Sequence, residues 1–538
     1  MARYKPCDYA QEIVVIVSLE DQLLPGSLEY GIHTQVEKEM DVSIFDQRYK
    51  NDTTGCPAYH PKLLLKVVLF AYSHGIVGSR RIEKLCQKNM VCMALACGYK
   101  PDHSTIAAFV SSMHSEILPL FCDILRVCDE QKLLGGTVFA TDGLKLPSNA
   151  SKEWSGTCED LKRKQEKLEA KVAQLLVEHQ ESDGQADGGV RETEEVTDEQ
   201  VSGEEVARNT PQRKPQQVPN QQRKKQKWAA RLKRLRRQAA RIKDWLETHK
   251  PKIGKQGKEI QSNVTDNESA KMSTAHGVLQ GYNAQAVVDA RYQVIIAAEV
   301  FGNGQDGDHL TAMVAGAKAT MQAFGHGEDY FEGTIWLADS NYHSDGNLKT
   351  CEVEHLDAYI PDTNFRKRDP RFVTQERHKS PRQEKCRLED FQYDEATDRY
   401  ICPNGKELRL EARVDWWGSG VYRRRYRRYM ARESDCQVCP LRAKCLRQKG
   451  TKQRNLGIPV EPIPMTRSQQ MIAKIDTEEG RNQYSQRLAI VEPVFGNVRT
   501  QKRLDHFTLR GKQKVDIQWL LFCLVHNIEK IVHYGKTV

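Results

Sequence analysis

A β-type sequence pattern that begins at Gly136 is interrupted by a long insertion and resumes near residue 278. The first part, 136–146, is a short apolar run that we expect to end on Asp142. The second part, 278–301, holds two runs rich in Val, Ile and Tyr on either side of Asp289-Ala290-Arg291, which predicts a β-hairpin. The chain is therefore constrained to a β-containing domain that tolerates an insertion of about a hundred residues.

Helical patterns surround these strands. A helix is predicted over His309–Phe324, followed by a buried strand in 333–342 that ends on Asp339. Further helices are predicted over Ser468–Arg499 and Val515–Tyr534, whereas 362–450 is expected to be irregular and basic. Alternation of strands with helices predicts a mixed α/β fold. Residues 1–135 are predicted to be all helical, as a helix-turn-helix DNA reader or as a plain bundle.

The insertion, at about 158–260, contains two segments with heptad-like apolar spacing, 159–180 and 228–246. They predict an antiparallel helical hairpin, and the polar stretch 181–226 between them predicts disorder. Segment 208–252 carries sixteen Lys and Arg against two acids, whereas 178–205 carries eleven acids and one Arg. A DNA clamp, a dimerisation arm and a spacer are all consistent with this hairpin.

Composition limits the broad class. The net charge of +9 permits binding to polyanions, and the charged fraction of 28% is typical of a water-soluble chain. The mean hydropathy of −0.65 agrees with this. The longest apolar runs are too short to cross a bilayer, and the N-terminal residues lack the pattern of a signal peptide. We therefore expect a cytoplasmic protein without a membrane partner, and reduced cysteines.

Three carboxylates are candidates for a metal site. Asp142 and Asp339 share a context, the end of an apolar strand, where a lone Asp more often caps the following turn. Two such carboxylates facing each other would repel unless they share a cation. Glu492 lies in the apolar run 489–495, where a charge is costly unless paired, so a salt bridge to Arg487 or Arg499 is the structural alternative. With Glu492, the set could hold two divalent ions for phosphoryl transfer.

The motifs TDG (141–143), LADSNY (337–342) and Y-x2-R-x4-E-x6-R, made by Tyr484, Arg487, Glu492 and Arg499, resemble the DDE transposases of bacterial insertion sequences. Those enzymes are members of the RNase H-like, retroviral-integrase-like superfamily. GYNAQAVVD (281–289) is similar to strands of their catalytic sheet, and 45–86 resembles their helical DNA-binding domain. The spacing of four residues between Arg and Glu, where three are frequent, and Arg at 499, where Lys is common, depart from the pattern.

The resemblance implies a helical N-terminal DNA-binding domain (1–135) and an RNase H-like catalytic domain (136–538) with large insertions. It implies catalysis and binding of Mg²⁺ (or Mn²⁺), as two ions, by Asp142, Asp339 and Glu492, and DNA contacts by Tyr484, Arg487 and Arg499. The implied function is cleavage at the terminal inverted repeats of double-stranded DNA and strand transfer into target DNA, by a homo-oligomer acting on the bacterial nucleoid. A catalytically inactive DNA-binding derivative and a nuclease without strand transfer are the alternatives.

A cysteine cluster lies in a second, basic insertion at about 362–460. Cys436-x2-Cys439-x5-Cys445, with Cys402 upstream, has the thiolate count of a structural zinc site, and Cys386 is a spare ligand. Reduced cysteines without metal are the alternative. Insertion-sequence transposases of this type resemble the chain here too, and we expect the insertion to face DNA.

His309 follows two acids, which suggests a metal ligand, but Asp308 as the N-cap of the next helix is the simpler interpretation. Asp289 and Asp308 are the carboxylates to test if one of the three is misassigned.

Overall fold

The computed structural model describes residues 18–49, 57–184, 220–254, 257–275, 277–372, 374–375, 385–417, 424–446, 448, 450–461 and 464–536. The chain divides into two compact units. Unit 1 comprises Met1–Trp336 and Arg487–Val538, and unit 2 comprises Leu337–Gln486. The predicted domain boundary between residues 135 and 136 is a different division, and it stays a prediction.

Helices and strands follow one another along both units. The helices are α1 (Leu28–Lys38), α2 (Pro61–Ser73), α3 (Ser79–Lys88), α4 (Met90–Leu95), α5 (His103–Ser111), α6 (Ile117–Glu130), α7 (Cys158–Gly184), α8 (Asn220–Thr248), α9 (Leu310–Ala323), α10 (Asp345–Val353), α11 (Phe365–Arg368), α12 (Glu433–Gln437), α13 (Arg442–Cys445), α14 (Arg467–Ile475), α15 (Glu478–Gly496) and α16 (Lys512–Tyr534). The strands are β1 (Val138–Pro147), β2 (Ser155–Gly156), β3 (Lys252–Ile253), β4 (Glu259–Ile260), β5 (Ser262–Asn263), β6 (Ala270–Thr274), β7 (Gly277–Asp289), β8 (Ile295–Phe301), β9 (Ile335–Ala338), β10 (Asp357–Tyr359), β11 (Gln392–Asp394), β12 (Arg399–Ile401), β13 (Glu407–Trp417), β14 (Arg424–Ala431) and β15 (Asn455–Pro459). The mixed α/β fold and the helical N-terminal region are confirmed.

The sheet of unit 1 is built around β7. Strand β1 runs antiparallel to β7, from Phe139 opposite Asp289 to Pro147 opposite Gly281. Strands β6 and β8 pair with successive parts of the other edge of β7, so the hairpin predicted at Asp289-Ala290-Arg291 is confirmed. From Gln280 to Asp289 every residue of β7 is buried, which is typical of a central strand covered on both faces.

The predicted end of the first strand at Asp142 is wrong. Strand β1 continues through Asp142 to Pro147 because residues 142–147 keep pairing with 281–286 of β7. Asp142 is therefore an interior residue of a strand, and its side chain is not needed to cap a turn.

Helix α16 links the N-terminal helices to the sheet of unit 1. Its apolar segment Trp519–Val525 is buried, and the helix packs on β8 and on α1, α2 and α6. Helix α9 covers β7 and β8. Among the described helices, none is long and apolar enough to span a membrane.

The predicted helical hairpin is confirmed. Leu161 of α7 packs with Ile242 and Trp245 of α8 and with Val264, so the start of one helix meets the end of the other. The disorder predicted for 181–226 is wrong at both ends, since 181–184 and 220–226 continue the two helices. The remainder of that prediction, 185–219, lies outside the described residues.

Unit 2 contains an antiparallel sheet where irregular structure was predicted. Strands β11 to β15 pair in chain order, around a core of Phe391, Leu408, Tyr429, Ala431 and Leu456. The alternation was hard to recognise because Arg and Tyr outnumber Val and Ile at its strand positions. Strand β10 lies apart from this sheet and pairs with β9.

Candidate active site

Asp142 lies in the middle of β1 and is bonded through both carboxylate oxygens. Oδ1 accepts the Gly143 backbone N–H at 2.8 Å. Oδ2 accepts a hydrogen bond from Nη1 of Arg487 at 2.7 Å, although the two residues are 345 positions apart in the sequence. Arg487 is itself buried, at 8% exposure. A carboxylate on the strand is therefore held by a fixed cation from helix α15.

The electrostatics of Asp142 are a balance of opposing effects. Burial raises the pKa of the Asp142 carboxyl, the positive charge of Arg487 lowers that pKa, and the nearby Asp306 raises it again. A desolvated carboxylate close to a second acid is stabilised by positive charge, and in unit 1 Arg487 supplies that charge. The chemistry of this environment suits a cation-binding carboxylate.

Asp306 is a buried carboxylate that the sequence interpretation missed. Its Oδ1 accepts hydrogen bonds from Nδ2 of Asn283 at 2.6 Å and from Nε2 of Gln285 at 3.0 Å. Lys145, on the same strand as Asp142, lies 3.9 Å from its other oxygen. The available signal was the pair of amides at 283 and 285, alternate positions of β7 that place two buried donors on one face.

Glu492 does not occupy the environment predicted for it. The sequence places it in an apolar run, but α15 turns Val491 and Val494 into the core and leaves Glu492 exposed. The alternative salt bridge to Arg487 or Arg499 is wrong, since Arg487 pairs with Asp142 and, in the described part of the chain, Glu492 forms no ion pair with Arg499. An exposed Glu492 needs no partner because it keeps its hydration.

Tyr484 lies in the first half of α15, and Arg499 follows the end of this helix. The Tyr484 ring contacts Phe365 edge-on, with 5.4 Å between the centroids, within unit 2. Arg499 is exposed in the π-helical turn Asn497–Gln501 that follows α15 in unit 1. Of these two side chains, Arg499 is the one presented to solvent.

Asp339, in unit 2, follows the last residue of β9 and caps the next turn. Its Oδ1 accepts the Asn341 backbone N–H at 2.8 Å, and its Oδ2 accepts Nδ2 of Asn341 at 3.1 Å. The capping role considered from sequence is therefore found at this residue, where the strand does end. Capping leaves lone pairs on both oxygens, so it does not exclude a ligand role.

The substitute carboxylates have other environments. Asp289 is fully buried and accepts backbone N–H groups of Gly135, Gly136 and Arg291, which ties the hairpin loop to the start of β1. The predicted N-cap role of Asp308 is wrong. The N-cap of α9 is His309, which makes no side-chain capping bond, because Asp308 belongs to a preceding 3₁₀ turn.

His309 is a core residue. It is 1% exposed and stacks on Phe301 at 3.9 Å between ring centroids, and burial lowers the pKa of its imidazole.

Four cysteines surround one small pocket in unit 2. Cys402, Cys436, Cys439 and Cys445 line it together with Arg442. The Lys406 backbone N–H donates to Sγ of Cys402 at 3.3 Å. Across the described ranges, no three His, Cys, Asp or Glu side chains are already arranged around a common metal position. The donor chemistry fits zinc, although the thiols have not converged.

Two protein-family models match the chain. One described as a transposase domain (DUF772) matches residues 17–112, and one described as a transposase DDE domain matches 401–532. The second match includes the cysteine cluster, Tyr484, Arg487, Glu492 and Arg499, whereas Asp142 and Asp339 lie outside both. A search among curated proteins finds no match.

Proposed function

We propose that this chain, which its two family matches support as a DDE-type transposase of an insertion sequence, cleaves DNA at the ends of its element and joins them to target DNA. The observation that carries the proposal is the bond between Asp142 and Arg487. It joins a strand carboxylate outside the family matches to the helix inside them that bears Glu492. Asp142 and Arg487 are 345 positions apart, so only the tertiary fold brings them together.

The proposed ligands of Mg²⁺ (or Mn²⁺) are the carboxylates of Asp142, Asp339 and Glu492. Carboxylate oxygens are hard donors of the kind these ions prefer, and the half-buried Asp142, whose pKa is raised by burial, is the one whose charge most needs compensation. Two ions bound there would activate a water or a 3′-hydroxyl and stabilise the departing 3′ oxygen. Glu492, exposed and without an ion pair among the described residues, is available to such a ligand set.

The basic residues of the motif have different proposed roles. Arg487 holds the Asp142 carboxylate in place and balances its charge, so we assign it to positioning rather than to phosphate binding. Arg499 is exposed and is the proposed phosphate contact, with Tyr484 near the DNA. The DNA partners are the terminal inverted repeats and the target duplex. We expect a homo-oligomer on DNA, acting on the nucleoid in the cytoplasm.

We also infer that Cys402, Cys436, Cys439 and Cys445 hold a structural zinc ion. The support is their shared pocket and the N–H donated to the Cys402 sulfur. Such an ion would link the segments that follow β12 and β14 in unit 2 and take no part in phosphoryl transfer.

The deciding experiment is cleavage and strand transfer of a labelled element end with Mg²⁺ or Mn²⁺. Asp142→Asn should bind this DNA as the wild type does and neither cut nor join it. Asp329→Asn is the matched control, because Asp329 is an exposed acid of unit 1 that belongs neither to the proposed ligand set nor to the substitute carboxylates.

Each outcome separates the alternatives. Activity that survives in Asp142→Asn overturns the assignment of the site. Wild-type binding without any cleavage favours the inactive DNA-binding derivative, and cleavage without joining favours the nuclease.

A further inference from the structure

We propose that the outer face of helix α8 is a second DNA-binding surface, which contacts the phosphate backbone of duplex DNA irrespective of sequence. The face, here called the basic face, is formed by Lys227, Arg231, Lys233, Arg234 and Arg237, all exposed. The inference rests on the proposed function only in taking DNA as the partner, and it concerns residues outside the proposed catalytic site.

The fold fixes the direction in which the basic face points. Leu232, Ala239 and Ile242 of α8 are buried, and Ile242 packs with Leu161 of α7. At about 100° of rotation per residue, Lys227, Lys233, Arg234 and Arg237 lie on the side of the helix away from these apolar residues, and Arg231 lies at the border of that side. Packing against α7 therefore holds the first four cations outward as one group.

The cations of the basic face have no internal counter-charge in the described structure. Within the described residues, none of the five forms an ion pair, and the acids of α8 itself are Asp244 and Glu247, at its far end. The basic strands of unit 2 differ. There Arg425 pairs with Glu461, and Arg428 lies 3.5 Å from Glu411. The unpaired cations of α8 are thus the better surface for an external polyanion.

Helix α7 provides an internal comparison. Its bases alternate with acids, as in the ion pair between Arg163 and Glu159. The exposed bases Lys162, Lys167 and Lys171 stand beside the exposed acids Glu166 and Glu169. The two arms of one hairpin therefore differ in charge while sharing length, exposure and apolar seam.

Other partners fit the basic face less well than a duplex. A membrane would need large apolar side chains among the cations, but the exposed apolar residues of α8 are alanines such as Ala229, Ala230 and Ala240. Single-stranded DNA would need exposed aromatic rings, whereas Trp245 is buried and Trp228 is half-buried. A second copy would need a free apolar seam, and the seam of α8 is already used by α7.

The dimensions also suit a duplex. From Lys227 to Arg237 the helix extends roughly 15 Å, which corresponds to about 4 base pairs of B-DNA. Because the residues between the Lys and Arg side chains include small alanines, the cations can approach phosphates closely. Contacts to phosphates carry no sequence information. We therefore expect the basic face to contribute equally to binding of element ends and unrelated DNA.

The test compares two triple variants of the full chain with the same change in charge. The first is Lys233→Gln, Arg234→Gln and Arg237→Gln on α8, and the control is Lys162→Gln, Lys167→Gln and Lys171→Gln on α7. Binding is measured without divalent metal over a series of salt concentrations. The probes are an element-end duplex, an unrelated duplex and a thymidine single strand, all of equal length.

The α8 variant should bind both duplexes at least about tenfold more weakly, and its salt dependence should fall by about 2 to 3 in logarithmic slope. The α7 variant should change affinity less than about twofold. Exchanging the same α8 residues as Lys233→Arg, Arg234→Lys and Arg237→Lys should retain binding, which guards against a folding defect.

Unchanged duplex binding by the α8 variant would overturn the proposal. Equal losses in the α7 and α8 variants, or a loss confined to the single strand, would overturn it too. Because no cleavage is measured, these outcomes are independent of whether Asp142→Asn abolishes catalysis.

Discussion

Arg487 and Glu492 lie on one helix but have opposite environments. They are five residues apart, which on an α-helix separates them by about 140° around the axis. Arg487 consequently points inward to the Asp142 carboxylate while Glu492 remains exposed. The Asp142 carboxylate is only partly exposed and would be disfavoured without this cation, so we expect Arg487 to stabilise the strand that carries it.

Gly143, next to Asp142, is required by the two amides packed over it. A Cβ at this position would lie 1.9 Å from Nε2 of Gln285 and 2.7 Å from Oδ1 of Asn283. Both amides are buried and bonded to Asp306, so they cannot move without losing those bonds. We expect Gly143→Ala to lower the free energy of unfolding of unit 1 by about 1 to 3 kcal/mol, as measured by urea denaturation.

Gly316 of α9 is the matched control, since its Cβ would meet only Ala297, at 4.0 Å. Gly316→Ala should leave stability unchanged or raise it by up to about 1 kcal/mol, because Ala is the better helix former. Equal stability of the two variants would show that the amides over Gly143 are not fixed.

The residues of the site were predictable from sequence to different degrees. Asp142 and Asp339 stand out because apolar strands lead into them. The bond from Asp142 to Arg487 could not be predicted, since no local pattern relates positions 345 residues apart. The exposure of Glu492 follows from the helical period, which places Glu492 on a different face from its apolar neighbours. The apolar composition of 489–495 does not indicate this difference.

At the scale of elements, α16 is attached to the sheet by polar side chains as well as by apolar packing. Oδ1 of Asp516 accepts the Val300 N–H at 2.8 Å, and the Trp519 indole N–H donates to the Gln285 carbonyl oxygen at 2.9 Å. These bonds satisfy backbone groups of strands that α16 covers, and so fix how the helix lies on the sheet.

Asn527 of α16 bonds both backbone groups of a single strand residue, Ile295. Its Oδ1 accepts the Ile295 N–H at 2.9 Å and its Nδ2 donates to the Ile295 carbonyl at 2.8 Å, in a fully buried position. Asn527→Leu, of similar volume, should cost about 2 to 4 kcal/mol because both backbone groups lose their partner. The urea midpoint of unfolding and faster exchange of the Ile295 amide are the measurements.

Gln513→Ala, at an exposed position of the same helix, should change stability by less than about 0.5 kcal/mol. A loss in Asn527→Leu no larger than in this control would mean that apolar packing alone holds α16.

The elements themselves were largely predictable where one period dominates. The α7–α8 hairpin and helix α9 follow their apolar spacing closely, and α16 begins three residues before its predicted start. The full length of β1 was missed because Gly143 and Lys145 look like a turn, although pairing with β7 keeps them extended. The β11–β15 sheet was missed because arginine-rich strands do not alternate in hydropathy.

At the scale of the molecule, the two family matches fall differently on the two units. The match at 17–112 lies within unit 1, and the match at 401–532 begins in unit 2 and ends in unit 1. The helix α15 that bears Glu492 also begins in one unit and ends in the other. Each unit has its own core, so the stability of each can be tested separately.

The cysteine pocket gives such a test for unit 2. If the four thiols hold zinc, the purified chain should contain about one zinc ion, and Cys436→Ser with Cys439→Ser should lose it. Removal of the metal by a chelator should speed amide exchange in β14, which packs in the same core, while β7 of unit 1 stays protected. Elemental analysis and hydrogen exchange are the measurements.

Two single variants sharpen this prediction about unit 2. Cys97→Ser, at an exposed cysteine of unit 1, should keep the zinc content unchanged. Cys386→Ser should also keep it, because Cys386 packs against the core of the sheet but does not line the pocket. Loss of zinc in Cys386→Ser would show that Cys386 replaces one of the four proposed ligands. A wild-type chain without zinc would show that the cysteines are reduced residues with a packing role only. Either result would leave the bond between Asp142 and Arg487 unaffected, since both residues belong to unit 1.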